Sequence, residues 1–380
     1  MWLGLALGCL AAQLAMLGLL ASGARSLRAF PGPARAEGRT PAVSIVVAAR
    51  DEAAAIERAM RSLLALDYPA LELVAVDDRS ADATGAILDR HAAADARLKV
   101  LHVRELPAGW LGKNHALALG AREAAGELLL FTDADVEFAP SALRESVAVL
   151  EDERLDHLAL APRVRMPGAW LAACVAYFGR QFYVFLRPWR ARDPRSSAHI
   201  GVGAFNLVRA AAYRAVGGHE RIALRPDDDV KLGKLLKLAG FRQALKHAPD
   251  ALSVEWYGSV REFVRGLEKN VLAGLDYRGV LGLAGLAALL ALEVLPWIIL
   301  AAGDPAARWA ALAAILVLVG TLAAILREAR ASVAAALLAP AAALVFAYAF
   351  ARSILLTYVR GGIVWRGTFY ALAELRRNEV

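Results

Sequence analysis

The residues best suited to chemistry are carboxylates. Asp133 and Asp135 stand one residue apart, directly after the apolar run Leu128-Leu129-Leu130-Phe131-Thr132. Strand side chains alternate between faces, so both carboxylates would point the same way past the end of a strand. Two hard oxygen donors that close suit Mg2+ or Mn2+ together with a diphosphate, because these ions keep few protein ligands and share the rest with phosphate and water. Two more polar clusters, Arg50-Asp51-Glu52 and Asp77-Asp78, also directly follow apolar runs. A further one, Asp227-Asp228-Asp229, precedes the helical stretch 230–238. Adjacent carboxylates repel one another, which raises a pKa toward the range where a base is useful. The plainer reading of the same three residues is that they N-cap that helix.

The elements needed to hold these clusters alternate along the chain. Residues 43–48, 71–76, 99–103 and 128–132 read as strands. Residues 53–66 and 113–125 read as helices, and Ser80 to Thr84 supply cap chemistry for another through Leu88. Strands and helices alternating at this length predict an α/β domain with a mostly parallel sheet covered on both faces. In such sheets ligands sit outside the carboxyl ends of the strands, which is where the polar clusters fall. No G-x-G-x-x-G follows the first strand and there is no P-loop, so neither dinucleotide nor P-loop chemistry is indicated.

Composition surrounds this domain with lipid. Of 380 residues, 58% are hydrophobic with Gly left out of the count, against about 45–50% with Gly included in soluble domains. Residues 1–24 carry no charge, and 280–350 are mostly Ala, Leu, Val and Ile. The sequence therefore predicts an integral membrane protein with a water-facing domain in the middle. The net charge is +7, from 44 basic and 37 acidic residues. The basic residues gather beside apolar spans: Arg25, Arg28, Arg35 and Arg39 after the first, Arg180 to Arg195 beside an aromatic stretch, and Arg352 to Arg377 in the tail. That distribution fits an anionic inner leaflet rather than a nucleic-acid groove, and no nucleic-acid partner is expected. Two cysteines, Cys9 and Cys174, exclude a disulfide framework and read as small apolar filler.

The expected organisation is an N-terminal anchor at 1–24, a basic linker at 25–40, a water-facing domain at 41–255, an amphipathic interfacial segment at 256–278, a transmembrane region of about three segments at 279–351, and a basic tail at 352–380. Arginines after the first span predict an uncleaved anchor and a cytoplasmic domain in the cell (inner) membrane. Glu293 and Pro296 interrupt the segment 280–302; the carboxylate either faces a neighbouring helix, lies near an interface or is functional. The connector with Arg327 and Arg330 should be cytoplasmic. Three full crossings would then leave the Arg-rich tail outside, so either one segment is re-entrant or the tail breaks the positive-inside rule.

Several blocks carry a resemblance. Residues 41–52 (Pro-Ala-Val-Ser-Ile-Val-Val-Ala-Ala-Arg-Asp-Glu), residues 66–80 ending in Val-Asp-Asp-Arg-Ser, Gly112-Lys113-Asn114-His115-Ala116-Leu117, the Asp-x-Asp, residues 203–218 and Asp228-Asp229-Val230-Lys231-Leu232-Gly233 occur in this order. Together they resemble the family 2 glycosyltransferases of GT-A fold over roughly residues 41–250. The tail, with Trp365-Arg366-Gly367-Thr368-Phe369-Tyr370, is similar to the subset that glycosylates ceramide, hopanoid or carotenoid acceptors. The resemblance implies a Rossmann-like GT-A domain with transmembrane helices at both ends, and a nucleotide-sugar donor, UDP-linked by family habit. It also implies a lipid acceptor, a single inverting displacement, and Mg2+ or Mn2+ bridging the diphosphate.

Residue by residue, the resemblance assigns Ala49, Arg50, Glu52 and Asp77 or Asp78 to the uracil and ribose, Asp133 to donor and metal, and Asp135 to the metal. Lys113 opens a helix where N–H groups and an ammonium both favour phosphate. Asp229 takes the place of the base and Asp228 that of the acid before it. Processive members carry Gln-x-x-Arg-Trp about forty residues after the base; here Glu262-x-x-Arg265-Gly266 keeps only the Arg. Glu262, Arg265 and Lys269 are therefore candidates for acceptor or diphosphate contacts in an enzyme adding one sugar. The competing expectations are a polyprenyl-phosphate sugar transferase or polysaccharide synthase, and a non-catalytic membrane scaffold or receptor with a GT-A domain.

Overall fold

The computed structural model describes residues 1–27, 30 and 39–380. Arg28 and Arg35 of the expected basic linker lie outside the described residues. The chain divides into two compact units. A helical unit comprises Met1–Ser26, Met166–Arg187 and Trp256–Arg377; a sheet unit comprises Leu27–Arg165, Pro188–Glu255 and Asn378–Val380. Residues 166–187, which the sequence reading left inside the domain 41–255, thus belong to the helical unit.

After α1 (Trp2–Ser26), of the helical unit, the sheet unit runs β1 (Val43–Ala49), α2 (Ile56–Leu64), β2 (Leu71–Asp78), α3 (Thr84–Ala94), β3 (Leu98–Val103), α4 (Gly112–Glu123), β4 (Leu128–Asp133), β5 (Val136–Phe138), α5 (Ala142–Asp152), β6 (His157–Ala161) and β7 (Arg163–Val164). Following α6 (Ala169–Leu186) it resumes with β8 (Asn206–Arg209), α7 (Ala210–Ala215), α8 (Asp228–Leu238), β9 (Gln243–His247) and β10 (Leu252–Val254). The main sheet has the order β3-β2-β1-β4-β8-β6-β9. β8 is antiparallel to both neighbours and the other four pairings are parallel, so the sheet is mixed. β1 lies between β2 and β4, and its Ile45, Val46 and Val47 are all buried, which is why that strand reads as a continuous apolar run without alternation. α2 buries Ile56, Ala59, Met60 and Leu63, one stripe at helical spacing. Register aligns the functional rim: Ala49 pairs with Asp77, and Ala48 with Asp133.

The helical unit adds α9 (Val260–Ala273), α10 (Gly279–Glu293), α11 (Leu295–Ala302), α12 (Pro305–Glu328), α13 (Ala339–Arg360), β11 (Gly362–Trp365), β12 (Thr368–Ala371) and α14 (Leu372–Arg377). Among the described residues, five stretches are long and apolar enough to cross a membrane: Trp2–Ala24, Ala169–Arg190, Gly279–Ala302, Pro305–Glu328 and Val333–Arg360. The sequence reading anticipated four of these. The second reads in the sequence as an aromatic stretch inside the domain 41–255, because its rings and arginines dilute the aliphatic signal. Pro296 lies in the first turn of α11, where a missing N–H costs nothing, and separates α10 from α11. Glu293 faces neighbouring helices: its carboxylate accepts from Arg180 (2.9 Å) and from Gln13 Nε2 (3.2 Å), and Arg180 also donates to Gln13 Oε1. The side chains of Arg180 and Glu293 are each 1% exposed. Trp365-Arg366-Gly367-Thr368 closes the β11–β12 hairpin. Arg366 and Gly367 both have positive φ (48° and 77°), as a twist-matched two-residue turn requires.

Candidate functional site

Three elements of the sheet unit bring the acids together. Asp133 ends β4, and its N–H donates to the Gly203 carbonyl (3.0 Å). Lys113 stands second in α4 and reaches Asp133 Oδ1 (2.8 Å) and Asp228 Oδ1 (3.3 Å). Asp228 is the first residue of α8. The loop at 201–203 sets the spacing. A Cβ on Gly203 would lie 2.5 Å from Asp133 Oδ2, and one on Gly201 would overlap the Asp229 carbonyl. Only glycine allows this loop to lie between the two acid pairs. The expectation that the aspartates merely cap α8 holds in small part. Asp227 occupies the N-cap without a side-chain cap bond and is instead held by the buried Arg225 (3.0 and 3.1 Å). Asp229 Oδ1 accepts the first-turn N–H of Val230 (2.8 Å).

The charge around Lys113 is unbalanced. Burial alone would lower its pKa, but Asp133, Asp228 and Asp229 outweigh burial and hold it well above the ordinary lysine value, so it stays cationic. Asp135 is pushed up to about 7, by burial first and then by Asp133 and Glu52. Asp229 is likewise pushed up to about 7, by burial and then by Asp228. Behind the cluster, His219 is buried and held down to about 3 by burial and by Lys113; its Nδ1 meets the Tyr213 hydroxyl (2.9 Å). A neutral imidazole there leaves the acids' surplus negative charge intact. One ammonium thus faces four carboxylates, and a cation is what would relieve Asp135. Asp133 and Asp135 fit a divalent ion that takes its remaining ligands from phosphate and water. Among the described residues no three His, Cys, Asp or Glu side chains form a ready-made cage, which is the expected state of a site that a substrate's phosphates complete.

The neighbouring rim is rigid. After Ala49 the chain turns at Asp51 (φ 53°), and after β2 it turns at Arg79 (φ 59°). The two turns are cross-bonded. Asp51 N donates to Ser80 Oγ (3.0 Å), Ala81 N to Asp51 Oδ1 (2.8 Å), Glu52 N to Thr84 Oγ1 (2.8 Å) and Ala53 N to Asp82 Oδ2 (3.0 Å). Asp78 is buried and receives both forks of Arg79 (2.8 and 3.0 Å), with Arg50 at 3.9 Å. Asp77 bonds His102 Nδ1 (3.0 Å), whose other nitrogen meets Asp89 (2.9 Å); these two bonds raise the His102 pKa. Gly112 is required because a Cβ would overlap Asp78 Oδ2. Asn114, fully buried, donates to the Ile222 (2.7 Å) and Arg225 (2.9 Å) carbonyls and so fixes the loop that carries Asp227 to Asp229. Sequence reasoning missed Gly201, Asn114 and His219 as site supports. The lysine-asparagine pair was visible, but its partner loop lies more than a hundred residues on.

Glu262, Arg265 and Lys269 lie on α9 of the helical unit. Glu262 closes the start of that helix: its N–H donates to Ser259 Oγ (3.2 Å) and its carboxylate accepts from Gly258 N (3.0 Å), a capping arrangement. Its carboxylate is therefore occupied locally. Lys269 Nζ meets Asn270 Oδ1 (2.9 Å) and sits 4.5 Å over the Trp365 ring. Arg265 opens onto a groove within the helical unit.

A mixed sheet with an acid pair at the end of its fourth strand and helices on both faces is the GT-A fold. Residues 44–216 match the family described as glycosyl transferase family 2. Over 198 residues the chain is 34% identical to a beta-monoglucosyldiacylglycerol synthase of Trichormus variabilis, covering 51% of this chain and 41% of that protein. Over 201 residues it is 26% identical to a 4,4'-diaponeurosporenoate glycosyltransferase of Staphylococcus haemolyticus, covering 51% of each. The chain thus spans about half or less of the length of these relatives. The mannosyltransferase PcManGT from Pyrobaculum calidifontis, solved with GDP-Man and Mn2+, shares the fold at a TM-score of 0.54 and 21% identity, covering 94% of this chain and 99% of that one.

Proposed function

We propose that this protein is an inverting glycosyltransferase that moves a single sugar from a UDP-sugar to a hydroxyl of a membrane lipid. The observation that carries this reading is Lys113, which bridges Asp133 of the Asp-x-Asp to Asp228 of the acid pair. Those two motifs lie almost a hundred residues apart in sequence, and a donor diphosphate and an acceptor base must lie close together. The relatives named above are named for a diacylglycerol and for diaponeurosporenoate, which supports a lipid acceptor.

The chain's residues divide the work. The rim from Ala49 to Glu52, with Asp77 and Asp78, holds the nucleoside; its cross-bonded turns keep the pocket preformed. Lys113, cationic throughout, faces the β-phosphate and neutralises charge as it develops there. Asp133 and Asp135 would hold Mg2+ or Mn2+, which when bound withdraws charge from the diphosphate leaving group; the Mn2+ of the PcManGT complex is in keeping with this. Asp229, at a pKa of about 7, is matched to accept the acceptor's hydroxyl proton near neutral pH. As that O–H proton moves to Asp229, the acceptor oxygen bonds the anomeric carbon, the bond to the β-phosphate breaks, and UDP departs with its electron pair. Attack opposite the leaving group inverts the anomeric centre.

The helical unit is the membrane part, multi-pass, with the sheet unit in the cytoplasm. Chain connectivity supports this. Residues on both sides of α6 belong to the sheet unit. Asn378–Val380 also belong to that unit. Asn378 bonds Leu224 N (2.9 Å) and the Arg221 carbonyl (2.9 Å), which supports an even number of crossings between Trp256 and Arg377. One of its three long segments is then re-entrant, and the basic tail stays on the positive side.

The test is to incubate membranes containing the protein with labelled UDP-sugars and Mg2+ or Mn2+, then extract with organic solvent. Label in a lipid of one added sugar is the expected result. Label only in an insoluble polymer, or transfer only from GDP-sugars, would overturn the reading.

A further inference from the structure

The helical unit contains a groove of about 670 Å3 between α9 and α13, lined by Val260, Arg261, Val264 and Arg265 on one wall and Leu344, Val345, Tyr348 and Arg352 on the other. The α13 wall is chemically graded. Leu344, Tyr348 and Arg352 follow one another at four-residue spacing on one face of α13, so polarity rises from aliphatic to phenolic to cationic over about 12 Å. Hydrocarbon, interface and headgroup succeed one another over the same kind of distance at a bilayer surface. On α9, Val260 and Val264 continue the apolar side, and Arg261 and Arg265 are exposed.

Charge decides the occupant. Arg352 is already committed to Glu268 (3.0 Å), which also takes Arg360 (2.7 Å). Among the described residues no carboxylate lies within ion-pair distance of Arg261 or Arg265. The nearest acid in sequence, Glu262, is turned onto the Gly258 N–H. Two unmatched guanidiniums, one helical turn apart on the α9 wall of a slot that also carries Val264, Leu344 and Val345, call for an anion that carries a hydrocarbon chain.

We propose that this groove holds an anionic phospholipid of the bilayer, its phosphate on Arg261 and Arg265 and an acyl chain along Leu344, Val345 and Val264. Guanidinium forks bind phosphate oxygens in pairs, so the headgroup is fixed in orientation as well as position. A zwitterionic lipid offers the same phosphate with a compensating cation and is held less well. The proposal rests on the reading of the helical unit as membrane-embedded and is independent of the transfer reaction.

The full-length protein in phosphatidylcholine nanodiscs, doped with spin-labelled phosphatidylglycerol or spin-labelled phosphatidylcholine, provides the test. The motionally restricted fraction should favour phosphatidylglycerol by at least about fivefold, the factor one basic residue contributes beside an anionic surface. Arg261→Gln with Arg265→Gln should bring that preference close to one, and sn-glycerol phosphate in the buffer should not displace the label. Val264→Trp, which keeps both charges and fills the slot, should lower the restricted phosphatidylglycerol as well. Equal restriction of the two lipids in the wild type, or a preference that survives the double substitution, would overturn the proposal. Complete displacement by glycerol phosphate would do so too, by revealing an anion site with no lipid slot.

Discussion

Two charge clusters in this molecule follow opposite rules. In the helical unit, Arg180 and Glu293 match one for one, Gln13 supplies further hydrogen bonds, and both ions are out of reach of solvent. In the sheet unit, Lys113 faces Asp133, Asp135, Asp228 and Asp229, and two of those acids are driven up to about 7. A matched pair has nothing left to bind. It fixes which helices pack together, and removing one partner leaves the other stranded. An unmatched set stores repulsion that a cationic ligand or a transferred proton relieves. Charge balance and burial together separate the structural cluster, 1% exposed at Arg180 and Glu293, from the candidate catalytic one, 24% and 40% exposed at Lys113 and Asp133.

The largest expected effect tests the unmatched cluster. Asp229→Asn should lower the transfer rate by about 10²–10⁴-fold, the usual weight of a general base, while UDP binding by calorimetry persists. Asp135→Ala should instead weaken the metal-dependent binding itself. Transfer unchanged in Asp229→Asn would remove the base assignment.

Next comes the matched cluster. Arg180→Leu or Glu293→Leu alone should cost about 3–5 kcal/mol of stability, because each strands a buried ion. The double substitution should recover most of that loss, as read by thermal unfolding in detergent. Additive losses would mean that the pair does not act as a unit.

A smaller effect is the pH dependence. An acid whose folded pKa is raised binds its proton more tightly folded than unfolded. Between about pH 4 and pH 7 the folded state therefore carries the extra protons, and stability falls as pH rises. Above about 7 the loss is complete and the curve flattens. Saturating Mn2+ should remove the part due to Asp135. A melting temperature that rises over this window in metal-free buffer would contradict the charge surplus.

The smallest is Gly203→Ala. Its Cβ, 2.5 Å from Asp133 Oδ2, must push that carboxylate aside. Mn2+ affinity should drop by about tenfold, in line with other outer-shell changes around a metal, with little change in melting temperature without metal.

Legibility differed between these regions for the same reason. The strand 43–48 was readable to within a residue of Val43–Ala49, since a doubly buried strand must be apolar throughout. Asp133 and Asp135 stood out because carboxylates after such a run have few structural reasons to be there. Ala169–Leu186 reads in the sequence as an aromatic stretch of the central domain because its rings and Arg180 dilute the aliphatic signal, and Glu293 remained ambiguous until its partners were visible. Glu262 resembled an acceptor contact by position, yet Ser259 and Gly258 engage it in starting a helix. The antiparallel placement of β8 left no mark in the local pattern, because pairing direction follows the path of the chain between strands.

Local patterning by itself determined the alternating core of the sheet unit, the apolar helices and the acids placed at strand ends. These depend on periods of two and of 3.6 residues and on which side chains water accepts. Only the folded chain decided that Lys113 lies between Asp133 and Asp228, that Gly201 and Gly203 leave room for them, and that Arg180 neutralises Glu293. Coulomb energies act through space and vary with distance and dielectric. Residues 113, 133 and 228, or 13, 180 and 293, interact only once tertiary packing sets both.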